Sequence, residues 1–434
     1  MNRNVRSLLH AIVLLTGVAL VLLNFGYFHY GYGTSKTSLI PHGLPSYFSP
    51  HNHTPSNPSP NFELTAGNPH FLAQTASYIR AISNSSDTTF PRLECPFSPT
   101  DRYTYMNKPS ESAAPKPKYF FALDLHNCVK LLPRLIGSIV ETIRFLGPRN
   151  CALSVVEGRS VDGTFEVLKE LRNELEGLGI RYIFQSSDIN PHAKGTDRIE
   201  ALAELRNLAI KDILENSALY AQDTTIIFSN DIAVCMEDIL ELIHQRNAQS
   251  ADMTCAMDWT YVGENPTFYD VWIARGMTGD SFFNIPPDGS WDYAWNLFWN
   301  DAKAQSHWQS FKPFQVFSCW NGITAFTAKP IMEGKIRFRK HLEKECYQGE
   351  PKLFAKDMWW NGYGKIAVVP SVNVEYSDEA AKKIKTLKGY TWSHVANEED
   401  NMKIKWELDP PSRVKCIPGG YETQKWVAWN EGLP

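Results

Sequence analysis

The sequence predicts an α/β protein: a Rossmann-like domain, with a parallel sheet and helices on both faces, behind an N-terminal transmembrane helix and a stem. Three observations predict it. From Lys118 to Trp259, short apolar, β-branched runs alternate with longer runs whose apolar residues recur at helical spacing, a pattern that implies parallel strands joined by helical crossovers. Near the N-terminus, Leu8 to Phe28 form one uncharged, mostly apolar run, and about 20 such residues span a bilayer as a helix. Between the two, residues 29–117 are rich in Pro, Ser and Asn and show no useful period.

Taken in order, "MNRNVR" places Arg3 and Arg6 ahead of the apolar run, so that end is expected to stay cytoplasmic. His10 and Asn24 lie near the ends of the run, within reach of the interface. A cleaved signal would have a shorter apolar core and an obvious small-residue cleavage site. We therefore expect a cytoplasmic tail at 1–7, a signal-anchor at 8–28 and a lumenal remainder. In the stem, "NHT" at Asn52 and "NSS" at Asn84 are glycosylation acceptors, "FLAQTASYIRAI" forms a short helix from Phe71 to Ile82, and "ESAAPKPK" is the last linker. All eight cysteines follow the apolar run. In an oxidising lumen some should pair, and spacing does not say which. Cys151 and Cys255 lie in apolar strand-like runs and are expected as buried free thiols.

The body begins at Lys118 with strand "KYFFALDL". Helix "LLPRLIGSIVETIRFLG" follows, ended by Gly147-Pro148. Then come strand "NCALSVVEG", helix "GTFEVLKELRNELEGLG", strand "IRYIFQSS", helix "RIEALAELRNLAIKDILE", strand "TTIIFS", helix "MEDILELIHQR" and strand "ADMTCAMDW". These make a nucleotide-binding half, 118–260. Residues 261–434 begin loop-rich and aromatic, then regain strand character in "FQVFSCWNGITAFTA" and "GKIAVVPSVNVEYS". A loop-rich half on the carboxyl edge of such a sheet suits an acceptor site.

Bulk composition narrows the class. The chain has 434 residues, 43% hydrophobic and 21% charged, with a net charge of −4. That excludes wholesale disorder and a general nucleic-acid binder. The 13 Trp and 18 Tyr offer flat faces with a polar edge, which suit sugars or bases as well as a core.

Chemistry concentrates where strands end. "VVEGRSVDGT" follows the second strand and opens a helix, so Glu157, Arg159, Ser160 and Asp162 stand where a nucleotide binds. An N-cap turn on Ser160 or Asp162 is the structural alternative. "NPHAKGTDRIEALAELRN" brings Lys194, Arg198, Arg206 and Asn207 to a helix start as phosphate partners, or as a solvated charged face. "TTIIFSND" closes a buried strand with Asn230 and Asp231, either a turn or a metal ligand.

An acid at a strand tip, an acidic turn and a basic helix, in this order, resemble the GT-A fold of nucleotide-sugar transferases. There a carboxylate holds Mn²⁺ or Mg²⁺ on the donor diphosphate, whose leaving charge the cation offsets. Asp231 is the metal ligand on this reading, and one acid replaces the usual two. Together with "ALDLHNCVKLLPRLIGSIVETIRFLGPRNCALSVVEGRSVDGT", "FSNDIAVCMEDILELIHQR", "FYDVWIARGMTGD", "FQVFSCWNG" and "ECYQGE", these motifs resemble the fungal capsule-associated α-1,3-mannosyltransferase family over Lys118 to Trp429. The resemblance implies a Golgi type II membrane enzyme for polysaccharide synthesis. It would move mannose from GDP-mannose to an α-mannoside, with a divalent metal and retention of configuration.

Several later residues are weighed for roles in that site. Asp258, Asp357 and Asn321 are catalytic candidates, and Trp259, Trp320, Glu350 and Trp360 are candidates for sugar or acceptor contact. His394 is a possible second metal ligand, although a lone His is more often structural. Trp320-Asn321-Gly322 could equally be a hairpin with a core Trp, and Glu350 surface charge. Other readings left open are a transferase using another sugar nucleotide such as UDP-xylose, a membrane-anchored glycan-binding protein, and a glycoside hydrolase with two facing carboxylates.

Overall fold

The computed structural model describes residues 67–96, 101–108, 116–396 and 403–434. The expected tail, the 8–28 anchor and Asn52 lie outside the described residues. No helix among the described residues is long and apolar enough to cross a membrane.

The central sheet has ten strands in the order β3-β2-β1-β4-β9-β5-β10-β8-β7, with β6 paired to β5. These are β1 Tyr119–Leu125, β2 Cys151–Glu157, β3 Arg181–Ser186, β4 Thr225–Ser229, β5 Met253–Val262, β6 Asn265–Phe268, β7 Arg275–Gly276, β8 Phe314–Ser318, β9 Ile323–Thr327 and β10 Ile366–Val374. β11 Arg413–Cys416 and β12 Lys425–Ala428 form a separate hairpin. The first four strands are parallel neighbours as expected. The sheet as a whole is mixed, not parallel. β9 inserts antiparallel between β4 and β5, and β8 runs antiparallel to β10. Local periodicity cannot reveal this, because a buried strand reads as the same apolar run in either direction.

Both faces of β1 are buried, so "YFFALDL" is apolar almost throughout. Phe120 and Ala122 join one core cluster, while Tyr119, Phe121, Leu123 and Leu125 join the other. The period of two simply divides the strand between two cores. Eight helices matter here: α1 Thr75–Ser83, α2 Leu132–Leu146, α3 Thr164–Glu170, α4 Arg198–Ala209, α5 Met236–Ala248, α6 Glu350–Trp360, α7 Asp378–Lys388 and α8 Thr391–Val395. α2 stops at Gly147, whose φ of 88° suits glycine, with Pro148 next. α4 is capped by Asp197, which accepts from the Ile199 and Glu200 N–H groups.

The segment assigned to a stem is a correction. Residues 67–96 and 101–108 are built into the body. Tyr78, Ile82, Leu93, Tyr103 and Met106 belong to the same core cluster as α2 and α5. Cys95 is disulfide-bonded to Cys235 at the start of α5. Arg102 pairs with buried Glu241 at 2.9 Å, and the Tyr103 hydroxyl donates to the same carboxylate at 2.8 Å. Pro and Ser content hid a segment several of whose apolar residues are buried in the core.

Two more disulfides join Cys255 to Cys319 and Cys346 to Cys416. Cys151 is a buried free thiol as expected, and so is Cys128. Cys255 is not, because the connection from β8 to β9 brings Cys319 against it. Replacing Cys95 by Ser is expected to destabilise the protein by about 2–4 kcal/mol, since the bridge closes a long loop. Denaturant melts of the variant and wild type, compared without reductant, check this.

Candidate active site

β1, β2 and β4 are parallel and in register, with Leu125 beside Glu157 and Leu123 beside Ser229. Their carboxyl ends therefore open on one edge, and the chemistry gathers there. The tip of β4 is fixed from two sides. Asn230 N–H donates to Gly322 O, and Ala233 N–H donates to Glu375 O, both at 2.8 Å. Between these anchors Asp231 turns outward and is exposed. The strand thus ends in a turn, and the turn's effect is to project the acid.

Asp231 lines a cleft of about 370 Å³ with Arg198, Arg206, Asn230, Trp320, Asp270 and Tyr376. Although its surface is open, the surrounding cleft walls desolvate its carboxyl and raise it above the ordinary range, partly opposed by its own backbone N–H and by the His126 charge. A larger hollow of about 810 Å³ lies between the 85–96 segment and α2. It contains none of the strand-end residues.

Arg206 is held in the cleft from several sides. Its Nε donates to Glu350 Oε1 at 2.7 Å, and the guanidinium lies over the rings of Trp320, Phe228 and Phe338 at 4.6, 5.1 and 5.9 Å. Glu350, expected as an acceptor contact, is fully buried and instead holds this arginine from behind. Trp320 is also buried. Its indole N–H donates to Asn230 Oδ1 at 3.1 Å, so it fixes the β4 tip and supports Arg206. No hairpin exists at Trp320-Asn321-Gly322, because β8 and β9 lie on opposite sides of the β5–β10 pair. Gly322 has a φ of 82°, and a Cβ there would lie 3.1 Å from Val374 and 3.3 Å from Ile232, so the crossing is tight.

The expected nucleotide turn is built as a self-contained loop. Glu157 is fully buried; its oxygens accept from Ser160 N–H at 2.6 Å and Ser186 Oγ at 2.9 Å. Asp162 accepts from Val129 N–H and from the N–H and Oγ of Thr164, a local turn just ahead of α3, whose N-cap is Gly163 and not Asp162 or Ser160. Ser160 Oγ accepts from Asn127 N–H at 2.9 Å. Glu157 and Asp162 are therefore corrected from ligand groups to loop-shaping ones. Arg159, with a φ of 56° and its buried Nε without a hydrogen-bond partner, is the polar side chain that this loop leaves to a ligand.

Other corrections follow from specific partners. Asn207 is spent on Phe338, donating to its carbonyl and accepting from its N–H. Lys194 is exposed in the preceding loop and does not line the cleft. Both oxygens of Asp357 accept from Arg339, at 2.7 and 2.8 Å. Asn321 is fully buried; it donates to Ala256 O, while its backbone N–H donates to Asp270. Trp259 is buried, with its indole N–H on Asn373 Oδ1 and Lys388 over the ring. Trp360 is exposed beside Trp429, away from the cleft. His394 bonds the Lys388 carbonyl at 2.7 Å and stacks on Phe311, so it is structural, and desolvation lowers its pKa. Asn84 is exposed, with its side-chain oxygen on Ser86 N–H. Asp258 is fully buried and cannot touch a sugar carbon directly.

Sequence reasoning missed three groups. Asp124, next to last in β1 and half-buried, has its carboxyl pushed up to about 7, mainly by desolvation. Arg206 pulls it down, while Glu350, Asp231 and Glu157 add to the rise. Asp270 lines the cleft opposite Asp231. Burial pushes its carboxyl to about 6, against the Asn321 N–H, Arg206 and Arg275. The Tyr376 hydroxyl lies 2.7 Å from Asp258 Oδ2, within hydrogen-bond distance. The signal for Asp124 and Asp270 was a lone acid inside an apolar run, in "ALDL" and "FYDVW".

No cluster of three His, Cys, Asp or Glu side chains suited to a metal occurs among the described residues. Asp231 and Asp124 do fit a hard cation of the kind that binds through one or two carboxylates and completes its shell with water and substrate phosphates. The Asp231 charge helps to raise the Asp124 carboxyl, and a cation held by these acids would offset that repulsion.

A family model described as Cryptococcal mannosyltransferase 1 matches residues 118–357. The α-1,3-mannosyltransferase CMT1 of Cryptococcus neoformans var. neoformans serotype D is 32% identical over 318 residues, 69% of this chain and 68% of the relative. Among solved structures, S. aureus TarS is 12% identical over 65% of this chain and 66% of its own, with a TM-score of 0.35. The Pyrobaculum calidifontis mannosyltransferase PcManGT, solved with GDP-Man and Mn²⁺, is 10% identical over 76% and 73%, also with a TM-score of 0.35. Neither structural likeness is close enough to bear on the chemistry.

Proposed function

This chain belongs to the cryptococcal mannosyltransferase 1 family and is a mannosyltransferase, and we propose that it is a GT-A-type enzyme that takes mannose from GDP-mannose and joins it α-1,3 to a mannoside. The observation that carries this reading is the meeting of Asp231, Arg198 and Arg206 in one cleft at the carboxyl ends of parallel strands. A departing nucleoside diphosphate needs positive charge there. Arg198 supplies it from the first turn of α4 and Arg206 from the third, and Asp231, with Asp124 near enough to feel its charge, would hold Mn²⁺ or Mg²⁺. Such a cation, when bound, offsets the charge that builds on the leaving diphosphate.

The chain's own groups perform the remaining work. Trp320 and Glu350 keep Arg206 in one orientation, which spares the loss of rotamer freedom on binding. Asp270 faces the cleft as a hydroxyl acceptor. Arg159 extends the cationic surface toward the 157–164 loop. An α-linked donor giving an α-product means retention of configuration. The three disulfides support a lumenal, oxidising compartment, in keeping with a Golgi type II protein anchored by residues 8–28 and acting in cell-surface polysaccharide synthesis.

The test is a donor screen with the purified protein and a short α-mannoside, with the product linkage read by NMR. GDP-mannose is expected to give an α-1,3 product in the presence of Mn²⁺. Turnover of UDP-xylose in its place would overturn the donor assignment.

A further inference from the structure

Behind the cleft, Asp258 is fully enclosed, next to last in the buried stretch of β5. One oxygen, Oδ2, is 2.7 Å from the Tyr376 hydroxyl. The other, Oδ1, is buried without a hydrogen-bond partner. No Lys, Arg or His among the described residues pairs with it, and the second carboxylate nearby is Asp270. An anion so placed would lack both solvation and a counter-charge. Tyr376 lines the cleft beside Asp270, with its ring against Tyr269 at 4.7 Å.

We propose that Asp258 is held as a neutral acid that donates to the Tyr376 oxygen, so that the Tyr376 O–H is aimed at an oxygen of the bound sugar nucleotide. A tyrosine hydroxyl has one hydrogen. When Asp258 supplies the bond between them, that hydrogen has no other protein acceptor among the described residues, and a substrate oxygen takes it. Burial and the Asp270 charge both push the Asp258 carboxyl well up, against the Tyr376 hydroxyl and the nearby backbone N–H groups of Asp270 and Asp258. Asp258 is then a positioning residue, and Tyr376 is the group that touches substrate. The inference rests on the donor reading above.

The experiment compares full-length Asp258→Asn, Asp258→Ala and Tyr376→Phe for transfer from GDP-mannose. An amide is neutral and can donate to the Tyr376 oxygen, so Asp258→Asn is expected to keep kcat/KM within about threefold. Asp258→Ala and Tyr376→Phe are expected to lose about tenfold or more. At neutral pH the infrared spectrum of the wild type should hold a protonated-carboxyl carbonyl band that Asp258→Asn lacks. An Asp258→Asn variant as impaired as Asp258→Ala, or the absence of that band, overturns the proposal. Thermal stabilisation by GDP with Mn²⁺ separates the two readings. If it is retained in these variants, any failure belongs to the Asp258 proposal alone. If it is absent from the wild type, the donor reading falls and takes the Tyr376 contact with it.

Discussion

Replacing Asp231 by Ala is expected to abolish stabilisation by GDP with Mn²⁺ and to lower transfer by about 10²–10³-fold or more, the range for removing a group that offsets transition-state charge. The side chain is exposed at the β4 tip and, among the described residues, no other residue is hydrogen-bonded to it, so stability without ligand should stay within about 0.5 kcal/mol. Wild-type protein at a ligand concentration of 100 Kd should gain about 2.7 kcal/mol, a shift easily read by thermal denaturation. The two measurements together separate a lost site from a lost fold. A variant that melts like wild type and is still stabilised by GDP with Mn²⁺ would remove Asp231 from the mechanism.

The second large effect concerns the Arg206–Glu350 pair. Either partner changed alone, Arg206→Met or Glu350→Met, is expected to destabilise the protein by about 3–5 kcal/mol, because it leaves a buried charge uncompensated. The side chains of Arg206 and Glu350 are only 8% and 0% exposed, so water cannot substitute for the missing partner. The double variant should recover much of that loss, since an apolar pair of similar volume is often neutral in such a place. It should nevertheless bind GDP at least about tenfold more weakly, because the cleft has lost a cation that three aromatic rings hold in place. Urea melts give the stability half of this prediction and calorimetry the binding half. Undiminished GDP affinity in a folded double variant would reduce Arg206 to a structural role.

Much of this molecule is legible because its early elements are local. The strands from Tyr119 to Ser229 and the helices between them carry their own periodicity, their Gly-Pro stop and their Asp197 cap. The acid at the β4 tip could be picked out because it ends an apolar run abruptly. Residues judged by type and spacing alone fared differently. Glu157, Asp162, Asn207, Asp357 and His394 have the chemistry of ligands, yet each is engaged by a neighbour that sequence does not place beside it. Glu350 lies 144 positions from Arg206, and Asp258 lies 118 from Tyr376.

By itself the sequence determined the alternation of strands and helices, the edge on which their carboxyl ends would open, and the acid that would stand there. Only the tertiary structure decided that β9 enters between β4 and β5, that the 67–108 segment belongs to the body, and which polar groups face the cleft. The reason is that local pattern records whether a residue is buried, whereas a polar side chain's role depends on the partner that meets it. That partner is chosen by chain crossings far away in sequence.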